Sequence, residues 1–135
     1  MIGRDEKVAA PDTLRVVIVD DDEDLAEELK EMLMAGGYAV EAATESMTAP
    51  DFIRRARPHI VLLDIKMKGK DGFQVARELA DDPDMAGVLI IAMTGYCTRR
   101  EHDVLRAIPG VREILLKPFS YDDVVARIEA VRQAR

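Results

Sequence analysis

The sequence predicts an α/β protein built on a doubly wound parallel sheet, and three observations lead to this prediction. Short apolar runs alternate with longer segments in which apolar residues recur every three or four positions, and five such pairs follow one another from Leu14 onward. Three of the runs are almost continuously apolar, which is typical of strands covered on both faces. Connections between parallel strands are right-handed in nearly all proteins, so the helices are expected on both sides of the sheet.

The five predicted strands are the short apolar runs themselves. They are Leu14 to Val19, Ala39 to Ala42, Ile60 to Leu63, Val88 to Met93 and Glu113 to Leu116. A helix follows each strand, and polar residues at capping-box spacing mark three of the helix starts. These pairs are Asp71 with Gln74, Thr98 with Glu101, and Ser120 with Asp123.

The helix after the first strand has the clearest amphipathic pattern. Its apolar stripe consists of Leu25, Leu29, Met32 and Leu33. Gly36 and Gly37 come next and can supply a left-handed C-cap, so the helix is expected to stop there.

The length of 135 residues fits one domain. Residues 1–13 mix charges with Pro11 and lack a periodic apolar face, which predicts a flexible arm. Residues 14–135 are then the domain, and no output domain is expected in this chain.

The charge balance and the cysteine content exclude several classes of function. Nineteen Lys and Arg against 26 Asp and Glu give a net charge of −7, which disfavours direct binding to nucleic acid. The single cysteine, Cys97, cannot form an internal disulfide, and neither a signal-peptide core nor a membrane-spanning apolar run is present. His59 and His102 lack metal-ligand spacing, so no zinc site is expected. We therefore predict a soluble cytoplasmic protein that does not contact the membrane.

Polar side chains follow four of the predicted strands. Asp20 and Asp21 follow the first strand, Asp64 the third, Thr94 the fourth and Lys117 the fifth. The carboxyl ends of parallel strands share one edge of a sheet, so these side chains should converge. Carboxylates about 5 Å apart repel by roughly 3 kcal/mol at an effective dielectric near 20, and three of them call for a cation. Oxygen ligands of this kind suit Mg²⁺.

Each of these residues also has a purely structural explanation when it is considered alone. Asp22, Glu23 and Asp24 are best explained as acids that complement the positive end of the first helix. Asp64 alone could end a strand, and Lys117 alone could be a surface charge. These separate explanations give no reason for the candidate residues to occur together at the ends of successive strands.

Four segments of the chain resemble the receiver domain of two-component response regulators, the fold of the bacterial chemotaxis receiver. The segments are VVIVDDDEDL, VLLDIKMKGKDGF, IIAMTGY and LLKPF, in the order and approximate spacing of that family. The resemblance extends from Leu14 to about Ala134. It implies a flavodoxin-like sheet with the strand order 2-1-3-4-5.

The resemblance also implies a role for each candidate residue. Asp64 would be the phosphoacceptor, with Thr94 and Lys117 as the catalytic and switch residues. The metal, Mg²⁺ or Mn²⁺ in its place, would be held by Asp20, Asp21, Asp64 and the backbone carbonyl of Lys66. The Lys117–Pro118 bond would be cis, and Lys66 and Tyr96 would tune the lifetime of the phosphoryl group.

A phosphorelay role follows from the same resemblance. A sensor histidine kinase or a phosphotransfer protein would supply the phosphoryl group, and a separate downstream protein would bind the switched surface. The chain would act as a signalling domain and not as an enzyme.

The sequence departs from the family pattern at two places. Ile114 occupies the position of the usual aromatic switch residue, which removes the ring from the expected readout. Lys68 replaces a common proline in the loop after the phosphoacceptor, so this loop is expected to be less stiff and more cationic.

Two alternatives remain open at this stage. A pseudo-receiver that binds partners without phosphorylation is favoured by Ile114 and opposed by the complete set of acceptor, acidic pair, threonine and lysine. A Mg²⁺-dependent phosphatase of the haloacid dehalogenase type uses the same residue types. Such enzymes place the nucleophile after the first strand and need a cap domain that 135 residues cannot supply.

Overall fold

A computed structural model describes residues 13–134 as one five-stranded parallel sheet flanked by helices, in the predicted strand order β2-β1-β3-β4-β5. The strands are β1 (Arg15–Val19), β2 (Ala39–Ala43), β3 (Ile60–Asp64), β4 (Leu89–Thr94) and β5 (Val111–Leu116). The helices are α1 (Glu23–Ala35), α2 (Ala49–Ala56), α3 (Gly72–Ala80), α4 (Arg99–Ala107) and α5 (Tyr121–Gln133), with short 3-10 turns at Ser46–Thr48 and Pro83–Met85. The predicted fold class is confirmed. The predicted flexible arm lies outside the described residues, apart from Thr13.

Three strands extend one residue further than the sequence predicted, and for β3 and β4 this difference concerns the candidate site. Asp64 and Thr94 are the last residues of β3 and β4 and do not merely follow them. Asp64 pairs with Met93, and Thr94 pairs with Leu116, so backbone pairing continues through both polar residues. Their side chains are therefore fixed by the sheet and not by loops.

The other strand limits also shift by one or two residues. β5 begins at Val111 and not at Glu113, because Val111 still pairs with Ile90 before an irregularity in the register of β4. β1 and β4 begin one residue later than predicted, and β2 ends one residue later, at Ala43. The apolar pattern indicates each strand, whereas the exact ends depend on pairing with the neighbouring strand.

Apolar side chains from the sheet form two clusters, one on each face. On one face, Val61 and Leu63 belong to the cluster that α2, α3 and α4 cover. On the other face, Ile18 and Leu62 belong to the cluster that α1 and α5 cover. Every residue of β3 and β4 is buried, as expected for the central strands of a doubly wound sheet.

The three predicted capping boxes all mark helix starts in the structure, at α3, α4 and α5. The end of α1 is also as predicted, with Gly37 in the left-handed region at φ +102°. The expected apolar stripe of α1 is wrong at one position. Met32 is 40% exposed, because the buried stripe passes through Ala26, Leu29 and Leu33 and leaves Met32 at its border. Among residues 13–134, the helices are too short or too polar to cross a bilayer.

Leu62→Ala is expected to lower the free energy of unfolding by about 3 kcal/mol, because the side chain is fully buried in the central strand and its removal leaves a cavity. Leu116→Ala provides a matched control at a position that is 57% exposed, where the loss should stay below about 0.5 kcal/mol. Urea denaturation of both variants measures the difference. Equal losses would contradict the central placement of β3.

Candidate functional site

Three aspartates meet at the carboxyl end of the sheet. Asp20 follows β1 directly, Asp21 comes next, and Asp64 ends β3. One carboxylate oxygen from each lies within 4.8 Å of the others. Asp20 and Asp64 are buried, whereas Asp21 is half-buried. A cluster of carboxylate oxygens of this size is a donor set that fits a hard divalent cation.

Backbone N–H groups orient two of these carboxylates. The N–H of Asp22, the N-cap residue of α1, donates to Asp20 Oδ1 at 2.9 Å. The N–H of Lys68, in the loop after β3, donates to Asp21 Oδ2 at 3.1 Å. The acidic pair is therefore held from both sides, by the start of a helix and by the loop that follows the third aspartate.

Lys117 brings the balancing positive charge. Its Nζ lies 2.8 Å from Asp20 Oδ2 and 3.5 Å from Asp64 Oδ1. Its backbone N–H donates to the carbonyl of Thr94 at 2.8 Å, which holds the residue beside the end of β4. The Lys117–Pro118 peptide bond is cis. One ammonium group facing three carboxylates leaves an excess of negative charge at the site.

The electrostatic environment shifts the pKa values of two of these groups. Burial and the nearby charge of Asp20 raise the pKa of Asp64 from its ordinary value of 3.8 to about 6, against the opposing effects of Lys117 and the Lys66 N–H. Burial lowers the pKa of Lys117, but hydrogen bonds and charge from Asp20 and Asp64 outweigh it, and the net pKa is raised. Lys117 thus carries its charge at neutral pH.

Thr94 lies at the same edge, with its hydroxyl engaged inside its own loop. The side chain is buried, and Oγ1 donates to the carbonyl of Tyr96 at 2.8 Å. The N–H of Tyr96 also approaches Oγ1, at 3.4 Å. Tyr96 itself is 71% exposed. The hydroxyl therefore has local partners that it must leave before it can bond to anything at Asp64.

Lys66 connects the loop after β3 to the start of α4. Its Nζ forms an ion pair of 2.6 Å with Glu101 Oε2. The other oxygen of Glu101 accepts from the N–H of Thr98 at 3.0 Å, within the capping box of α4. Hydrogen bonding to Glu101 raises the pKa of Lys66, and hydrogen bonding to Lys66 lowers the pKa of Glu101.

Ile114 is half-buried and packs against the core cluster under α2, α3 and α4.

The structure brings Asp20, Asp21, Asp64 and Lys117 into direct proximity and places Thr94 at the end of the neighbouring strand. Lys66 and Tyr96 lie in the two adjoining loops.

Sequence reasoning assigned Glu101 only to a helix cap and gave no role to Ser46, whose hydroxyl bonds to the loop after β3. No pattern in the sequence links either residue to this loop.

Comparison with known proteins identifies the family and supports the fold. Residues 16–129 match the family model of the response regulator receiver domain, so this chain belongs to that family. Response regulator MprA from Mycobacterium sp. (strain KMS) is 33% identical over 118 residues, which cover 87% of this chain and 50% of that protein. MprA from Mycobacterium leprae (strain TN) is 32% identical over the same length. The chain spans about half the length of these relatives.

Solved structures of receivers share the fold. Chemotaxis protein CheY4 of Vibrio cholerae superposes with a TM-score of 0.82 at 22% identity, over 88% of this chain and 98% of that one. A putative response regulator from Chloroflexus aurantiacus J-10-fl gives a TM-score of 0.80 at 26% identity, over 91% of this chain and 99% of that one. The predicted family is confirmed: residues 16–129 form a receiver domain of the two-component type.

Asp64→Asn is expected to stabilise the metal-free protein at neutral pH. Between pH 3.8 and about 6 only the unfolded chain releases the Asp64 proton, so the free energy of unfolding falls as the pH rises through this window. The whole loss is about 3 kcal/mol and is complete above the folded-state pKa.

The advantage of this variant should therefore grow by about 1 kcal/mol from about pH 5 to pH 8, as measured by urea denaturation in EDTA. An advantage that does not change with pH would contradict the raised pKa of Asp64.

Proposed function

We propose that Asp64 accepts a phosphoryl group from the phosphohistidine of a sensor histidine kinase or a phosphotransfer protein. A carboxylate oxygen of Asp64 attacks phosphorus, the bond from phosphorus to the histidine nitrogen breaks, and the electron pair returns to the imidazole. The observation that carries the proposal is the position of the Asp64 carboxylate, 3.5 Å from the Lys117 ammonium and within reach of the acidic pair. Positioning and charge stabilisation supply most of the catalysis in reactions of this kind.

The acidic cluster would hold Mg²⁺, or Mn²⁺ in its place, through Asp20, Asp21, Asp64 and the backbone carbonyl of Lys66. The bound ion would neutralise phosphoryl oxygens that otherwise face a site with excess negative charge. Lys117 would neutralise another of these oxygens, since its raised pKa keeps it charged. Asp20 holds the Lys117 ammonium at 2.8 Å, on the side of the site where the acceptor lies.

The output of the domain would come from Thr94. Its hydroxyl would leave the carbonyl of Tyr96 and donate to a phosphoryl oxygen, and the loop after β4 would move with it. Ile114 offers no aromatic ring to follow this movement, so we assign the readout to the loop and to the adjoining start of α4. The surface changed in this way would bind a separate downstream protein.

The domain would work in the cytoplasm as a phosphoacceptor, promoting at most its own phosphorylation and dephosphorylation. Its net charge of −7 favours protein partners over direct contact with nucleic acid or with an acidic membrane surface. The second candidate, a pseudo-receiver that binds partners without phosphorylation, is favoured only by Ile114.

Incubation with Mg²⁺ and acetyl phosphate is expected to give at most one phosphoryl group per chain, which intact-mass spectrometry detects. Asp64→Asn should abolish the label. Asp103→Asn, at an exposed carboxylate on α4, should keep it. Repeated turnover of the donor would indicate a phosphatase instead, and a wild-type protein without label would indicate a pseudo-receiver.

The double variant Lys66→Asn and Tyr96→Ala is expected to shorten the lifetime of the phosphoryl group several-fold. Lys66 lies two residues after Asp64 and Tyr96 two residues after Thr94, and both side chains are about half exposed or more, so we expect their loss to open the path of attacking water. The measurement is the decay of labelled protein after removal of the donor. An unchanged decay would remove lifetime tuning from these two residues.

A further inference from the structure

Ser46 ties two loops together beside the acidic cluster. It lies in the 3-10 turn after β2, is 6% exposed, and has its hydroxyl directed at the loop after β3. Ser46 Oγ donates to the carbonyl of Lys68 at 2.6 Å and accepts from the N–H of Lys70 at 3.1 Å. One hydroxyl thus holds the loop on both sides of Gly69.

The peptide held by Ser46 belongs to the residue that orients a candidate metal ligand. The carbonyl of Lys68 bonds to Ser46, while the N–H of Lys68 donates to Asp21 Oδ2 at 3.1 Å. A change in the position of this loop would therefore change the position of the Asp21 carboxylate. The same loop contains Lys66, whose carbonyl is the proposed fourth ligand.

The tie acts where the loop is open on one side, between the buried Met67 and the ion pair of Lys70 with Glu78. Asp21, Ser46, Lys68 and Gly69 line an open cleft of about 650 Å³, so the loop borders empty space on that side. Lys68 occupies the position where the family commonly has proline, so no proline ring restricts the backbone there. Gly69 adopts φ +78°, in the left-handed region. A Cβ on Gly69 would come within 2.9 Å of Ser46 Oγ, which shows how closely the loop passes over the hydroxyl.

We propose that Ser46 is a positioning residue for the metal-binding end of the site: its hydroxyl sets the loop after β3, which orients Asp21 and the Lys66 carbonyl toward a divalent cation. The proposal rests on the function proposed above. The hydroxyl from the neighbouring turn would restrain a loop that lacks the common proline at Lys68.

The test compares Mg²⁺ binding by calorimetry in the full chain and in Ser46→Ala. We expect the dissociation constant to rise about tenfold, the lower end of the range for residues that orient metal ligands. In the metal-free variant, the Lys70 amide should also exchange its hydrogen faster, because it loses its acceptor. Thr48→Ala is the matched control: this hydroxyl is two residues away, exposed, and 3.5 Å from the carbonyl of Glu45 in its own turn.

Phosphorylation separates positioning from general destabilisation. In Ser46→Ala the Mg²⁺ concentration for half-maximal labelling should rise by the same factor, whereas the labelling rate at saturating Mg²⁺ should stay within about twofold. Gly69→Ala should reproduce this behaviour by displacing the loop from the other side. A lower rate at saturating Mg²⁺ with unchanged half-saturation would overturn the positioning role.

The two proposals fail in different ways. Equal Mg²⁺ affinity in the wild type and in Ser46→Ala overturns the role of Ser46 and leaves Asp64 as the acceptor. A wild-type protein that binds Mg²⁺ but takes no label overturns the phosphoacceptor function, while the affinity difference between the two proteins still supports Ser46.

Discussion

The ion pairs that Lys117 makes with Asp20 and Asp64 are the constraint on which the rest of the site depends. Asp20 and Asp64 are almost fully buried, so their carboxylates have lost most of their hydration and repel each other. A cation between them compensates for both costs. The ammonium comes from the end of β5, which is separated from β3 by β4 in the sheet. Since Asp20 follows β1 and Asp64 ends β3, the two contacts together require four adjacent strands to be in register, and the backbone bond from Lys117 to Thr94 fixes the register of the last two.

Much of the architecture can be read from the sequence because the responsible forces are local or periodic. Continuous apolar runs such as Ile60 to Leu63 indicate strands covered on both faces, and capping boxes such as Thr98 with Glu101 indicate where helices begin. The errors lie where pairing with a distant segment decides. Asp64 and Thr94 belong to strands because neighbouring backbones bond to them, a property that their polar side chains conceal.

The same distinction applies to the site. The convergence of the acidic pair, Asp64 and Lys117 follows from topology alone, since parallel strands end at one edge. The ion pair of Lys66 with Glu101 spans 35 residues, and the bond of Ser46 to Lys68 spans 22. Both depend on the conformation of irregular loops, for which the chain carries no periodic signal. These contacts decide how rigid the site is, although they do not decide where it lies.

The crowding of Asp20, Asp21 and Asp64 also links the folding of this protein to its medium. The oxygens lie close together only when the strands are assembled, so a divalent ion would bind the native protein much more tightly than the denatured chain. By mass action, each such binding event would withdraw molecules from the denatured population. The midpoint temperature of unfolding would then rise with the concentration of divalent cation, even in the absence of a signalling partner.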